Sequence, residues 1–192
     1  MTRKVLITGA SSDIGMAVCR LYLDSKCQVL GLYNKGQSGL TRLSEEYPEL
    51  ILHQLDFESP ENVERFIQQG KKDFLENEIF IHAAALVEPT PFFDITPDNL
   101  LRAFTINVIP SFLFARTLVP AMIERGWGRI VNLSSIGVKF GGGSKTFCYS
   151  LSKHALEFFP SDHKNWASKN VLINTLRVGV TDTRAHTIDP EK

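Results

Sequence analysis

At 192 residues with 43% hydrophobic side chains, the chain has the size of one globular domain with a sizeable core. Its 21 basic and 21 acidic residues cancel, so it has no overall field to draw in nucleic acid or an anionic membrane surface. Three scattered cysteines, Cys19, Cys27 and Cys148, give neither a metal-type pairing nor an even disulfide framework, and read as reduced core thiols.

Met1-Thr2-Arg3-Lys4 leads into only Val5-Leu6-Ile7, too brief an apolar run for a signal core or a membrane span; a cytoplasmic location with no membrane partner is the expectation. A strand at 4–8 is followed by Thr8-Gly9-Ala10-Ser11-Ser12-Asp13-Ile14-Gly15, and then by Ile14, Ala17, Val18 and Leu21 at helical spacing. Small residues between a strand and a helix let a pyrophosphate approach backbone N–H groups at the helix N-terminus. A tight turn with close helix packing accounts for the same residues. Asp13 is awkward beside a pyrophosphate, which repels a carboxylate, and capping the helix start is its other reading.

Further strands are expected near 28–33, 51–55, 78–82, 129–134 and 171–176. The first, fifth and sixth runs are rich in Val, Ile and Leu, the pattern of strands buried on both faces of a parallel sheet. Thr96-Pro97-Asp98 predicts an N-cap with proline at the first helical position, opening a long helix to about Arg125; a second is expected over 149–168. Strand and helix alternating in this way predict an α/β fold, a Rossmann-type doubly wound parallel sheet of order 3-2-1-4-5-6 in a single domain over 1–192. Gly141-Gly142-Gly143-Ser144 is an internal loop, and His53, His154, His163 and His186 have no metal-site spacing.

Tyr149-Ser150-Leu151-Ser152-Lys153 sets a phenol and an ammonium four residues apart near the start of a helix, on one face. A nearby cation favours the phenolate and brings a group of pKa near 10 toward the range useful for acid/base work. Alone, the pair also reads as an ordinary surface contact. Ile130-Val131-Asn132-Leu133-Ser134-Ser135 ends a buried strand in two hydroxyls at the carboxyl edge of the sheet, where open α/β sheets bind ligands. Asn107 is an amide within an otherwise apolar helix.

The glycine segment resembles the TGxxxGxG fingerprint of the short-chain dehydrogenase/reductase family, with Asp13 in place of the middle glycine, and the similarity runs from Lys4 to about Thr183. The resemblance implies an Asn107, Ser135, Tyr149, Lys153 tetrad, with Ser134 as the register alternative to Ser135 and the Asn107 carbonyl holding a water of a proton relay. It implies cofactor contacts from Gly9, Ser11, Ser12, Asp13, Ile14 and Gly15, from Asp56 beside Phe57, and from Ala83, Ala84 and Ala85, which stand where the family commonly reads NNAG. It adds Asn34 and Lys35 after the second strand, Tyr149 and Lys153 of the tetrad, and Gly179, Val180 and Thr181, in a segment similar to PGxxxT with Val178 replacing proline. Where NAD-dependent members carry an acid after the second strand, this chain has Tyr33-Asn34-Lys35, which favours NADP(H) over NAD(H).

The implied function is hydride transfer on a small-molecule ketone or secondary alcohol with Tyr149 as acid/base, similar to the 3-oxoacyl carrier-protein reductases. A catalytically inactive nucleotide-binding regulator on the same fold is the alternative, motivated by the altered NNAG segment. An extended-family epimerase would carry TGxxGxxG, a spacing absent here. Family members continue through a helical substrate lid and a final strand; because this chain stops at Lys192, the expectation is a sheet lacking its last strand and a truncated lid. Val87 to Phe93 and Ile136 to Phe147 are expected to line part of the substrate pocket. The resemblance also implies a homodimer or homotetramer paired through the two long helices.

Overall fold

Consecutive Val, Ile and Leu residues can fill a strand only where both faces of the sheet are covered, and the first strand meets that condition. The computed structural model describes residues 2–70 and 74–184. Its strands are β1 (Lys4–Thr8), β2 (Gln28–Tyr33), β3 (Leu50–Gln54), β4 (Ile79–His82), β5 (Gly128–Ser135) and β6 (Val171–Val178). They form one sheet of order β3-β2-β1-β4-β5-β6, with every pairing parallel. The helices are α1 (Asp13–Asp24), α2 (Gln37–Glu46), α3 (Pro60–Gln69), α4 (Pro97–Asn107), α5 (Ile109–Arg125), α6 (Phe147–Ala155) and α7 (His163–Ser168).

The period-2 alternation of the strands divides the core in two. Leu6, Phe80 and Ile130 lie in register and pack with Val63 and Ile67 of α3 and Leu113, Phe114, Leu118 and Met122 of α5. Val5, Ile7, Ile79 and Ile81 point the other way, onto Cys19 and Leu23 of α1 and Leu40 and Leu43 of α2. The sixth run departs from the two-faced burial its composition predicts. Among the described strands β6 pairs only with β5, and Leu172 and Leu176 are exposed.

Two predicted helices are each divided by proline. The stretch Pro97–Arg125 breaks at Val108, because Pro110 brings no N–H to the Ile106 carbonyl. With a mean hydropathy of 1.5 in its most apolar part, this stretch is long and apolar enough to cross a membrane by length and composition alone; here its second half lies across the core. The expected helix over 149–168 instead starts at Phe147, stops at Ala155 and resumes at His163, with Pro160 in the gap. The internal Gly141–Gly143 loop lies between α6 and the 3-10 turn Ile136–Phe140, as its composition predicts.

The break at Val108 leaves the Asn107 carbonyl facing β4, and His82 uses it. His82 Nε2 lies 2.8 Å from the Asn107 carbonyl oxygen, and its Nδ1 lies 2.9 Å from Thr8 Oγ1. A carbonyl only accepts, so Nε2 carries the proton, Nδ1 accepts, and the Thr8 hydroxyl donates to it. The same hydroxyl oxygen accepts from Ala84 N at 3.3 Å. One neutral ring therefore ties β1, β4 and α4 together.

Full burial, and next the charge of Lys153, pull the His82 pKa down from 6.5 to about 3. The unfolded chain takes up a proton below about 6.5 and the folded one does not, so this group makes stability fall as pH drops through that value, by about 1.4 kcal/mol per pH unit. His82→Leu is expected to cost about 1–3 kcal/mol at pH 7 through the lost bonds. In urea unfolding the gap between the two proteins should narrow by roughly 2 kcal/mol at pH 5, and an unchanged gap would rule out a neutral His82.

Candidate active site

All six strands end on the same side, and a cleft of about 990 Å³ opens there, at the upper end of the usual range for ligand pockets. One wall is the loop from β1 into α1. Gly9 has φ of +68°, and a Cβ there would sit 2.6 Å from Ala84 N; a Cβ on Gly15 would sit 2.1 Å from the Gly9 carbonyl oxygen. Only glycine fits either place. Ser12 caps α1, accepting from Gly15 N at 3.0 Å and donating to the Gly9 carbonyl at 2.8 Å. The cap is thus Ser12 and not Asp13, which stands one residue inside the helix with its carboxylate on Arg184. The cradle fits a pyrophosphate lying on the α1 N-terminus, beside Ser11 and Ile14.

The opposite wall carries the tetrad residues. Tyr149 and Lys153 share one face of α6, and Lys153 Nζ lies 5.8 Å from the Tyr149 ring centroid. The ammonium donates to the Leu133 carbonyl at 2.7 Å, so in this state of the cleft it does not draw the phenol toward phenolate. Burial raises the Tyr149 pKa above 10, opposed by a hydrogen bond with Ser135. Burial also brings Lys153 down to about 7. The two serines of β5 have different partners. Ser135 lines the cleft with Tyr149 and accepts from Gly137 N at 3.1 Å, whereas Ser134 donates to Glu157 Oε1 at 2.7 Å.

Asn107 is fully buried, and its side chain works as a bracket. Its Oδ1 accepts from Leu86 N at 2.6 Å, and its Nδ2 donates to the Leu86 carbonyl and to Ser152 Oγ at 2.8 Å. Ser152 Oγ in turn donates to the Tyr149 carbonyl at 2.7 Å. The loop after β4 and the first turn of α6 are thereby held against α4. The Asn107 carbonyl, which the resemblance assigns to a water, accepts from His82.

The remaining residues singled out from the sequence also line the cleft: Asn34, Lys35, Asp56, Phe57, Ala83, Ala84 and Ala85 on the β2–β4 side, and Gly179, Val180 and Thr181 after β6. Asp56 Oδ1 accepts from Asn34 Nδ2 and from Glu58 N, both at 3.0 Å, and Phe57 is buried against the core. Val87, Pro89, Ile136 and Phe140 give the expected apolar stretch of lining. Thr8, Ser152 and Arg184 are contributors to which pattern reading gave no role, while His82, which its strand-end setting marks as a satisfied structural histidine, has both ring nitrogens bonded. Ser152 lies inside the Tyr-x-x-x-Lys segment, but the others show themselves only through contacts between distant parts of the chain. Among the described residues no group of three or more His, Cys, Asp or Glu could hold a metal; His186 lies outside them.

The geometry agrees with comparisons to known proteins. The chain is 26% identical over 190 residues to a dehydrogenase/reductase SDR family protein 7-like protein of Drosophila melanogaster, covering 94% of this chain and 57% of that one. A short-chain dehydrogenase from Streptomyces avermitilis superposes with a TM-score of 0.86 at 24% identity, over 96% of this chain and 68% of that one. A 3-oxoacyl (acyl-carrier-protein) reductase of Agrobacterium tumefaciens, solved with NADP bound, gives 0.83 at 23% identity, over 98% and 76%. A profile described as short chain dehydrogenase matches residues 3–191, and by that match the chain belongs to the short-chain dehydrogenase family.

Proposed function

We propose that the protein reduces a small-molecule ketone, or oxidises the corresponding secondary alcohol, with a nicotinamide dinucleotide lying between the glycine loop and α6. The observation that carries the reading is that Tyr149, Ser135 and Lys153 line the same cleft as the Gly9 cradle. The dinucleotide supplies hydride to the carbonyl carbon, or takes it back from the alcohol. Tyr149 gives its proton to the carbonyl oxygen in reduction and accepts one in oxidation, Ser135 holds that oxygen, and Lys153 carries the nearby positive charge. Asn107 holds α6 at the distance this requires. The apolar lining at Val87, Ile136 and Phe140 favours a substrate with a hydrophobic body.

NADP(H) is favoured over NAD(H), because the loop after β2 offers Asn34 and the exposed Lys35 where an acid would repel a 2′-phosphate. We also propose assembly as a homodimer or homotetramer through α4, α5 and α6, where Leu101, Phe112 and Leu151 are exposed along successive helices.

Three measurements test this reading. Tyr149→Phe is expected to lower turnover of a ketone and acyl-thioester panel with NADPH by about 10²–10⁴-fold while leaving NADPH binding intact. Tight NADPH binding by the wild type without turnover of any substrate would instead favour a nucleotide-binding regulator. Lys153 is a cation below about pH 7 and neutral above it, whereas Tyr149 stays protonated past 10, so reduction should slow as pH rises through 7. A limb found only near 10 would remove Lys153 from the chemistry. For assembly, Phe112→Glu should shift sedimentation velocity toward monomer, and an unchanged oligomer would sink the helix-face pairing.

A further inference from the structure

The glycine loop holds a carboxylate where a diphosphate would rest. Asp13 lies in the first turn of α1, among the N–H groups that make a helix start attractive to anions, and a second anion brought there is repelled. The structure meets this with a residue 171 positions away. Arg184 donates its backbone N–H to Asp13 Oδ2 at 2.8 Å and Nε–H to Oδ1 at 2.8 Å, while Nη2 lies 2.7 Å from Oδ1 and donates to the Ser11 carbonyl at 3.0 Å. Those contacts hold the Asp13 carboxyl below the usual range, so it is charged at neutral pH.

We propose that Arg184 is a cofactor-binding residue: it cancels the charge of Asp13 and turns its guanidinium to the pyrophosphate of the dinucleotide on the glycine loop. The proposal rests on the dinucleotide reading given above. Both side chains line the cleft, and that of Arg184 is 65% exposed, so the guanidinium stands at the rim within reach of a ligand. Its planar fork carries five N–H donors, enough for one edge to stay on a carboxylate while another meets a phosphate oxygen. In a family fingerprint that has glycine at this position, the arginine lets an aspartate stand there without closing the site to an anion. An exposed pair of this kind contributes little to folding, so the effect of breaking it should appear in binding.

The experiment is a double-mutant cycle read by equilibrium binding, with thermal unfolding as the check on folding. Arg184→Ala leaves Asp13 uncovered and should weaken NADPH and ADP-ribose by about tenfold or more. Adenosine 2′-phosphate, which lacks the pyrophosphate, should bind unchanged. Asp13→Gly alone should bind NADPH at least as tightly as wild type, and Asp13→Gly/Arg184→Ala should recover the part of the loss due to the uncovered carboxylate while still binding more weakly than Asp13→Gly. Equal or tighter NADPH binding by Arg184→Ala, in a wild type that binds NADPH, overturns the role of Arg184 and leaves the functional reading standing. An equal loss for adenosine 2′-phosphate overturns the pyrophosphate assignment. A wild type that binds neither NADPH nor NADH overturns both readings.

Discussion

A single buried imidazole holds the two halves of the cleft in register. His82 has no access to water, so its two ring nitrogens must each find a partner inside the protein. The partners are the Thr8 hydroxyl, at the lip of the glycine loop, and the Asn107 carbonyl, on the helix that brackets α6. Movement of the glycine loop relative to Tyr149 would break a bond that nothing else in a dry core replaces. The geometry also fixes the tautomer, and with it the direction of every hydrogen bond from the Ala84 N–H through Thr8 to His82 and Asn107.

From that bracket the site follows by short steps. Asn107 reaches Leu86 on one side and Ser152 on the other, and Ser152 grips the carbonyl of Tyr149. Lys153 lies one residue further on α6, with its ammonium turned to β5 and not to the phenol. The cleft thus holds a phenol raised above its ordinary pKa and an amine lowered below it, both by burial. Desolvation moves an acid up and a base down, so two groups nearly level in water part company here, the phenol above 10 and the amine at about 7.

Much of this was legible in the chain, because the relevant signals are local. Alternating apolar runs and helical patterns locate the strands to within a residue or two, and Thr8 to Gly15 marks the cradle from its small residues alone. The Tyr149 and Lys153 spacing places both on one helical face. What escaped reading depends on backbone breaks and on distant partners. Pro110 interrupts an apolar pattern that continues across the break, so the hydrophobic periodicity conceals it. The turn of Lys153 toward Leu133 reflects how closely β5 packs on α6, and no spacing within the chain encodes that. Asp13 reads as a misfit or a cap until Arg184, far along the chain, is brought beside it.

The parallel sheet also gives the molecule two unlike ends. Every strand runs toward the cleft, so the amino end of β1 leaves from the far side of the sheet, while the segment after β6 returns to the mouth at Arg184. A tag or surface linkage placed before β1 therefore sits a whole strand length from the cleft. A label attached at Arg184 itself would stand at the rim of the cleft and crowd its mouth. For immobilising or labelling the protein, the amino-terminal side is the one that leaves the cleft open.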